Sequence, residues 1–320
     1  MIHYFMKQTI PAVSIVGLLA AFGLTCFFIA KFADRLPKDG GREFAHDGKL
    51  SAGKPRGAGL IFILVFVGAA FIFAPMSLEL LIYLILVTVE MLTGYLDDAA
   101  EHPWGELRKG LLDLAVAVIL AVTYLSFNPN TIWLAIPGMP LTIPPVLFGA
   151  LIVVLVWGSV NVTNCADGVD GLSGTLVIIT LATFYIIDHL LGSGDDFNVL
   201  ILMFAVCILG YLWYNATPSL LMMGDAGSRA MGVFISIAAL KSESPVLYVS
   251  VAVVLILDGG LGLLKLTLIR VCHVHILKNV RTPLHDHVRK NMGWSNTQTL
   301  FRFAIIQIAV SMITLSLILL

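Results

Sequence analysis

Charge is what this sequence has least of. Only 12% of its 320 residues are charged and the formal net charge is -1, whereas a soluble domain carries about one quarter charged residues. That scarcity excludes an ordinary soluble globular chain. A balance this close to neutral also gives no electrostatic footprint for nucleic acid. Cysteine is nearly as sparse: Cys26, Cys165, Cys207 and Cys272 lie far apart and match no metal or redox spacing. No P-loop or dinucleotide fingerprint is present, because Asp258-Gly-Gly260 and Gly227 lack the strand context those motifs need. There is no short-period repeat and no soluble domain. No small-residue cleavage site follows the first apolar run, so that run is expected to remain as a membrane segment.

Apolar sequence fills the space. Hydrophobic residues make up 58% of the chain and the mean hydropathy is +0.95. About 20 apolar residues cross a bilayer. Ten such runs occur, near 9–31, 58–75, 79–96, 109–127, 146–164, 171–190, 198–214, 225–241, 246–269 and 299–319. The expectation is an all-α, polytopic membrane protein with about ten transmembrane helices, forming a single domain over 1–320. Between the fourth and fifth runs, Pro137-Gly138 separates short alternating stretches, which predicts a small hairpin at the membrane surface. If connections alternate sides, 32–57, 97–108, 165–170, 215–224 and 270–298 share one face. With the adjoining helix ends, that face holds 17 of the 19 lysines and arginines, leaving only Lys7 and Lys241 opposite. The asymmetry makes it cytoplasmic and the hairpin extracytoplasmic.

The polar residues gather at that face. In Asn161-Val-Thr-Asn-Cys-Ala-Asp-Gly-Val-Asp-Gly-Leu-Ser173, two amides and two carboxylates recur every third residue: Asn161, Asn164, Asp167 and Asp170. A three-residue step turns about 300° on a helix, so neighbours in the series share a face. The Asp-Gly pairs signal turns. A helix ending near Asn164, a tight loop and a new helix from Asp170 or Gly171 are predicted. A plain hydrophilic loop is the simpler reading. Against it, Asp97-Asp98 closes the third run and Asp225 opens the eighth, also on the cytoplasmic side, and carboxylates at membrane helix ends need a cation, a cavity or a partner. Segment 270–298 adds His273, His275, His285 and His287 within a basic cluster. An amphipathic interfacial helix accounts for part of it, and this is compatible with its covering a site for an anionic substrate.

Converging carboxylates suit Mg²⁺, which takes oxygen ligands and often shares them with substrate phosphates. Lys54, Arg56, Lys109, Arg281 and the histidines are candidates to neutralise phosphate oxygens. Phosphoryl transfer needs chiefly such positioning and neutralisation.

These motifs carry a resemblance. Gly94-Tyr-Leu-Asp-Asp98, Asn161-x-x-Asn-x-x-Asp-Gly-x-Asp-Gly-Leu and Met223-Gly-Asp-x-Gly-Ser resemble the polyprenyl-phosphate sugar-1-phosphate transferase superfamily. Within it, Pro283-Leu-His-Asp-His287, Gly293-Trp294, Arg302-Phe303 and the glycine-rich Gly53–Gly59 segment resemble the MraY family of phospho-N-acetylmuramoyl-pentapeptide transferases. The resemblance implies ten transmembrane helices, a cytoplasmic-face cleft in the bacterial inner membrane, Mg²⁺ and a homodimer among membrane lipids. It implies transfer of phospho-MurNAc-pentapeptide from UDP-MurNAc-pentapeptide to undecaprenyl phosphate, yielding lipid I and UMP for peptidoglycan synthesis, hence for cell wall, shape and division. By position it assigns Asp97, Asp98, Asp167 and His285 to catalysis and Asp225 to the metal. The substrate-binding set is Asn161, Asn164, Asp170, Asn215, Met222, Lys109, Lys54 and His287.

Three positions depart from the family pattern. Glu101 stands where a lysine usually follows the aspartate pair, so Arg108 or Lys109 has to supply the charge. Asp286 replaces the central of three histidines and is expected to turn outward, toward Arg281, Arg289 or Lys290. Met222 stands where an aromatic often stacks on uracil; Met still packs against a ring, with less geometric definition. Glu90, seven residues before Asp97, either lines the cleft or makes a helix–helix hydrogen bond. Asp113 and Asp258 are expected as structural acids, as partners for Lys265 or contacts at a kink. The alternatives are a UDP-GlcNAc-using relative and, from another class, a secondary transporter. The latter would place acids at helix centres in two related halves, a pattern this sequence lacks.

Overall fold

A computed structural model describes residues 1–2, 11–41, 51–102, 104–192 and 196–320. Lys7, Arg42, Lys49 and the start of the first apolar run lie outside the described residues. The chain is mostly helical. In order it forms α1 (Pro11–Phe32), α2 (Gly59–Phe73), α3 (Leu78–Asp98), α4 (Glu106–Phe127), α5 (Pro145–Cys165), α6 (Leu172–Leu191), α7 (Phe197–Asn215) and α8 (Gly224–Lys241). Then come α9 (Pro245–Val251) and α10 (Val253–Cys272), bent by 68° at the break between them, followed by α11 (Leu284–Met292) and α12 (Asn296–Leu319).

Over its described residues every apolar run is helical, but the runs differ in span character. Seven of the described helices are long and apolar enough to cross a membrane, or eight if the bent pair counts as one span. Helix α2 has only 15 residues. Helix α8 carries Asp225, Arg229 and Lys241 within 18 residues. The ninth run was expected as one helix and is broken instead. A broken helix in a membrane frees backbone groups that must find partners. Gln307 of α12 supplies them: its Oε1 accepts from Val254 N at 3.0 Å and its Nε2 donates to Val251 O at 2.6 Å.

Helix α8 is the axis of the molecule. All of its residues except Asp225 and Lys241 are buried. Its Gly, Ala and Ser content lets neighbours approach closely, as small residues do at membrane helix interfaces. It packs most extensively on α3 and α5. On its α2 and α7 side Phe234 stacks on Phe204 at 4.1 Å and meets Phe66 edge-on at 5.2 Å. Such ring pairs each add about 1 kcal/mol beyond simple burial. Outward-facing Val146, Val154, Ile305 and Met312 stay exposed, as expected of lipid-facing surfaces.

The two ends of α8 meet different company. At its C-terminal end lies the hairpin, β1 (Thr131–Leu134) against β2 (Met139–Thr142), antiparallel with Trp133 opposite Pro140. It is tied to the end of α8 by Trp133 N donating to Glu243 O at 2.7 Å. At the N-terminal end of α8, α3 and α5 end and α4 begins. With a rise of about 1.5 Å per residue, the ends lie about 27 Å apart.

Candidate active site

The site is built on the first turn of α8. That helix has no side-chain cap of its own. Asp98, last residue of α3, fills the role: its Oδ2 accepts from Ala226 N at 3.3 Å, a carboxylate at a helix N-terminus where the dipole favours it. Gly94, one turn earlier on α3, lies against the backbone of Asp225 and Ala226, leaving no room for a Cβ. Larger residues there would drive the two carboxylate-bearing elements apart.

Arg56 and Lys109 bind these acids together. Arg56 Nη2 lies 2.8 Å from Asp98 Oδ1 and 3.2 Å from Asp225 Oδ1, with Asp39 3.6 Å from its Nη1. Lys109 Nζ pairs with Asp97 and lies 3.3 Å from Asp225 Oδ2. Asp97 Oδ1 also accepts from Trp104 N at 2.6 Å. Burial alone would lower the Arg56 pKa; Asp98, Asp225, Asp39 and Asp167 outweigh it and hold the guanidinium above its ordinary value. Asp98 is sealed, while Asp225, Arg56 and Lys109 keep 13%, 19% and 28% of their side chains exposed, which opens the cluster to solution on one side. The missing lysine after the aspartate pair is therefore replaced by Lys109. Arg108 instead stacks over Trp104 at 3.6 Å, and Glu101 is exposed.

A second wall comes from the segment before α2 and the α7–α8 connection. Met222 N donates to Pro55 O at 2.8 Å, and Ala58 N donates to Met222 O at 3.1 Å. Lys54 Nζ donates to Ser219 Oγ at 3.0 Å, while Ser219 N donates to Asp170 Oδ2 at 3.1 Å. Asn215 is buried and bridges the elements: its Oδ1 accepts from Gly171 N at 2.7 Å and its Nδ2 donates to Leu221 O at 2.8 Å. Lys54, Asp170, Asn215 and Met222 thus share one surface.

The predicted loop holds closely: α5 ends at Cys165 and α6 opens after Gly171, whose φ of 76° explains the glycine. Asn164 Nδ2 donates to Ser228 Oγ at 3.0 Å, fixing the end of α5 to α8. Asp167 is half-exposed in the loop. Gly168 faces His285, whose ring occupies the space a Cβ would need.

His285 is buried and doubly held by Asp258, which accepts from His285 N and faces Nδ1, both at 2.8 Å. This corrects one expectation. Asp258 is no partner of Lys265, whose Nζ donates to Leu277 O and Val280 O at 3.1 and 2.9 Å. Asp258 lies in a π-helical turn, Ile256–Gly260, which aims it sideways at the histidine. Its Asp-Gly-Gly inside an apolar run was the available signal. Asp286 turns to Arg289, one of its three expected partners, at 2.8 Å.

Two expected residues stand apart from this group. His287 Nδ1 accepts from Arg281 N at 3.3 Å within its own segment. Asn161 donates to Trp157 O at 2.8 Å and toward Asp113 Oδ2 at 3.4 Å, deeper than the site. Glu90 and Asp113 both contact Arg229, a pairing the sequence did not announce and one that again excludes Lys265 as partner.

Among the described residues no group of three or more His, Cys, Asp or Glu forms a ready-made metal cage. The donors nonetheless fit Mg²⁺, which is commonly held by one or two carboxylates plus substrate phosphates. All are hard oxygens, and Asp98 Oδ1 is a buried acceptor with no hydrogen-bond donor among the described residues, only its ion pair with Arg56. Four carboxylates, Asp39 included, here face two cations.

Comparison with known proteins finds relatives along most of the chain. The family described as glycosyl transferase family 4 matches residues 80–243. A phospho-N-acetylmuramoyl-pentapeptide-transferase of Treponema pallidum is 41% identical over 310 residues, covering 91% of this chain and 85% of that protein. The enzyme of that name from Symbiobacterium thermophilum is 32% identical, covering 79% and 78%. That from Rickettsia canadensis is 27% identical, covering 98% and 93%.

Proposed function

The chain belongs to the phospho-N-acetylmuramoyl-pentapeptide-transferase family, and from that premise we propose that it transfers phospho-MurNAc-pentapeptide from UDP-MurNAc-pentapeptide to undecaprenyl phosphate, releasing UMP and forming lipid I. The observation that carries this reading is the convergence of Asp97, Asp98 and Asp225 on Arg56 and Lys109 at a partly open helix junction. The bond between the donor's β-phosphorus and its bridging oxygen breaks, and one from that phosphorus to an acceptor phosphate oxygen forms. The bridging oxygen leaves with UMP, and no net proton is consumed.

Each residue has a task in this reading. Arg56 and Lys109 exchange carboxylate partners for phosphate oxygens and neutralise charge in transfer. Asp97 orients the acceptor phosphate, or takes its proton if it arrives protonated. Asp167 and Asn164 shape the loop over the reacting phosphates. Lys54, Asp170, Asn215 and Met222 form the nucleotide side. His285, held by Asp258 at Nδ1, presents Nε2 at Gly168 for a phosphate contact. Asp225 and Asp98 are the residues that would hold Mg²⁺, which when bound supplies charge neutralisation and orientation of the diphosphate.

The membrane arrangement belongs to the same reading: ten spans, the site in the cytoplasm, the hairpin outside, and a homodimer in the inner membrane. Single cysteines at Gly138 and Ser295, in a background stripped of native cysteines, are expected to label from opposite sides of intact cells with an impermeant thiol reagent. Labelling of both from one side would refute the arrangement. The reaction is tested with purified protein, polyprenyl phosphate and either UDP-MurNAc-pentapeptide or UDP-GlcNAc. UMP release only with the first is expected; release only with the second makes the chain a GlcNAc-phosphate transferase, and release with neither overturns the reading.

A further inference from the structure

Beneath the site lies a second polar layer. Arg229 of α8 donates from Nε to Glu90 Oε1 of α3 at 2.9 Å, with its Nη2 2.8 Å from the same oxygen. The same Nη2 pairs with Asp113 of α4. Asn161 of α5 donates toward the other oxygen of Asp113 at 3.4 Å. Glu90, Asp113 and Arg229 are buried. Four helices therefore contribute one residue each.

The same four helices build the site. Arg229 is four residues below Asp225, and Asp113 four below Lys109, each about 6 Å along its helix. Asn161 is three residues below Asn164, and Glu90 seven below Asp97, about 4.5 and 10 Å respectively. Helices α3 and α5 run toward the site while α4 and α8 run away from it, so all four steps lead inward. One guanidinium thus links the helices carrying the aspartate pair, Lys109 and Asp225, and Asn161 extends the link to α5.

Stability alone is a poor account of this layer. A buried ion cluster is commonly no more stable than a well-packed apolar one. Here Glu90 Oε2 and Arg229 Nη1 are also buried without hydrogen-bond partners among the described residues. What apolar side chains lack is direction, because a guanidinium fixes distances and angles between helices. We propose that Glu90, Asp113, Asn161 and Arg229 are positioning residues that set the register of α3, α4, α5 and α8, and with it the spacing of Asp97, Asp98, Lys109, Asn164 and Asp225.

This rests on the reading of the site given above, so the parent protein's UMP release is measured first. An inactive parent refutes that reading; an active parent lets the layer be judged separately. The deciding variant is Glu90→Leu/Asp113→Leu/Arg229→Leu, which removes all three charges together and so leaves none stranded. Its thermal midpoint in detergent is expected to match or exceed the parent's. Its kcat is expected to fall at least about tenfold, since misplacement by about 1 Å costs on the order of a hundredfold. Donor KM should stay within about threefold of the parent value, because this layer does not touch substrate. Arg229→Lys keeps the charge but not the fork, and should recover part of the kcat lost in Arg229→Leu. A folded triple variant with kcat within about twofold of the parent overturns the proposal. If the triple variant does not fold, a folded Arg229→Lys with parental kcat overturns it. Loss of fold in both makes the layer structural and overturns it equally.

Discussion

The two ends of α8 use the same chemistry to opposite effect. At the hairpin end Lys241 Nζ lies 3.3 Å from Glu79 Oε2, while Tyr83 and Asn128 donate to Oε1 at 2.8 and 2.6 Å. Both oxygens of this carboxylate are satisfied, one by a cation and the other by two neutral donors. At the other end four carboxylates crowd two cations, one buried oxygen lacks a hydrogen-bond donor among the described residues, and one side stays open. A carboxylate satisfied at both oxygens ties helices together. A surplus of partly exposed carboxylate is costly in a buried setting, and it persists where something else must bind.

The comparison breaks most sharply at Asp225. Asp225→Ala is expected to abolish UMP release while the protein stays folded in detergent. The matching change at the hairpin end, Glu79→Gln, is expected to leave turnover within about twofold and lower stability by about 1–3 kcal/mol, the cost of stranding buried polar partners. Steady-state turnover and thermal unfolding of the two variants side by side measure this. Near-normal activity of Asp225→Ala at limiting Mg²⁺ would show the surplus at the site end to have no role in transfer.

His285 gives the next effect. Removing a charge-assisted contact to a phosphate should lower turnover by about a hundredfold. Gly168→Ala tests the same contact from the opposite face, because its Cβ needs the space of the His285 ring. It should shift the histidine and lose activity, though less than His285→Ala. If Gly168→Ala is fully active, the ring does not work through its edge at that loop.

Much of this site was legible because the sequence interrupts itself there. Asp97-Asp98, Asn164, Asp167 and Asp225 stand out against apolar runs, and the ends of those runs fix which face they share. The hairpin was legible from Pro137-Gly138. What stayed hidden are pairings between distant positions. Arg229 meets Glu90 139 residues away and Asp113 116 residues away. Nothing in local spacing joins them, and Arg229 counts as one more basic residue near a helix end. Asp258 was visible with two alternatives open, a partner for Lys265 or a contact at a kink; it lies in a π-turn and its partner is the distant His285. The break at Ala252 depends on Gln307 of another helix to satisfy the freed backbone.

Asp286 should give the smallest effect and the finest test of the contrast between the two ends, because it is a carboxylate at the site end wired like one at the hairpin end. It sits in the first turn of α11 and accepts from Arg289 Nη2 one turn later, at 2.8 Å. Such a pair at i, i+3 contributes a few tenths of a kcal/mol when exposed, somewhat more when half-buried as here. Arg289 does not depend on it: the guanidinium also donates to Gly168 O, Asn296 Oδ1 and His285 O, at 3.1, 3.1 and 3.3 Å. Asp286 therefore helps aim an arginine that donates to the Asp167–Gly168 loop, and in the proposed site it is expected to face away from the phosphates, where a like charge would repel them. Asp286→Ala should keep turnover within about threefold of the parent, and Asp286→His should do the same. Arg289→Ala, which strips three further contacts, one of them to the loop at Gly168 O, should lose clearly more. UMP release under saturating donor decides the order. If Asp286→Ala proved as damaging as His285→Ala in a folded protein, a matched carboxylate would be working in the reaction, and pairing would no longer separate structural acids from functional ones in this molecule.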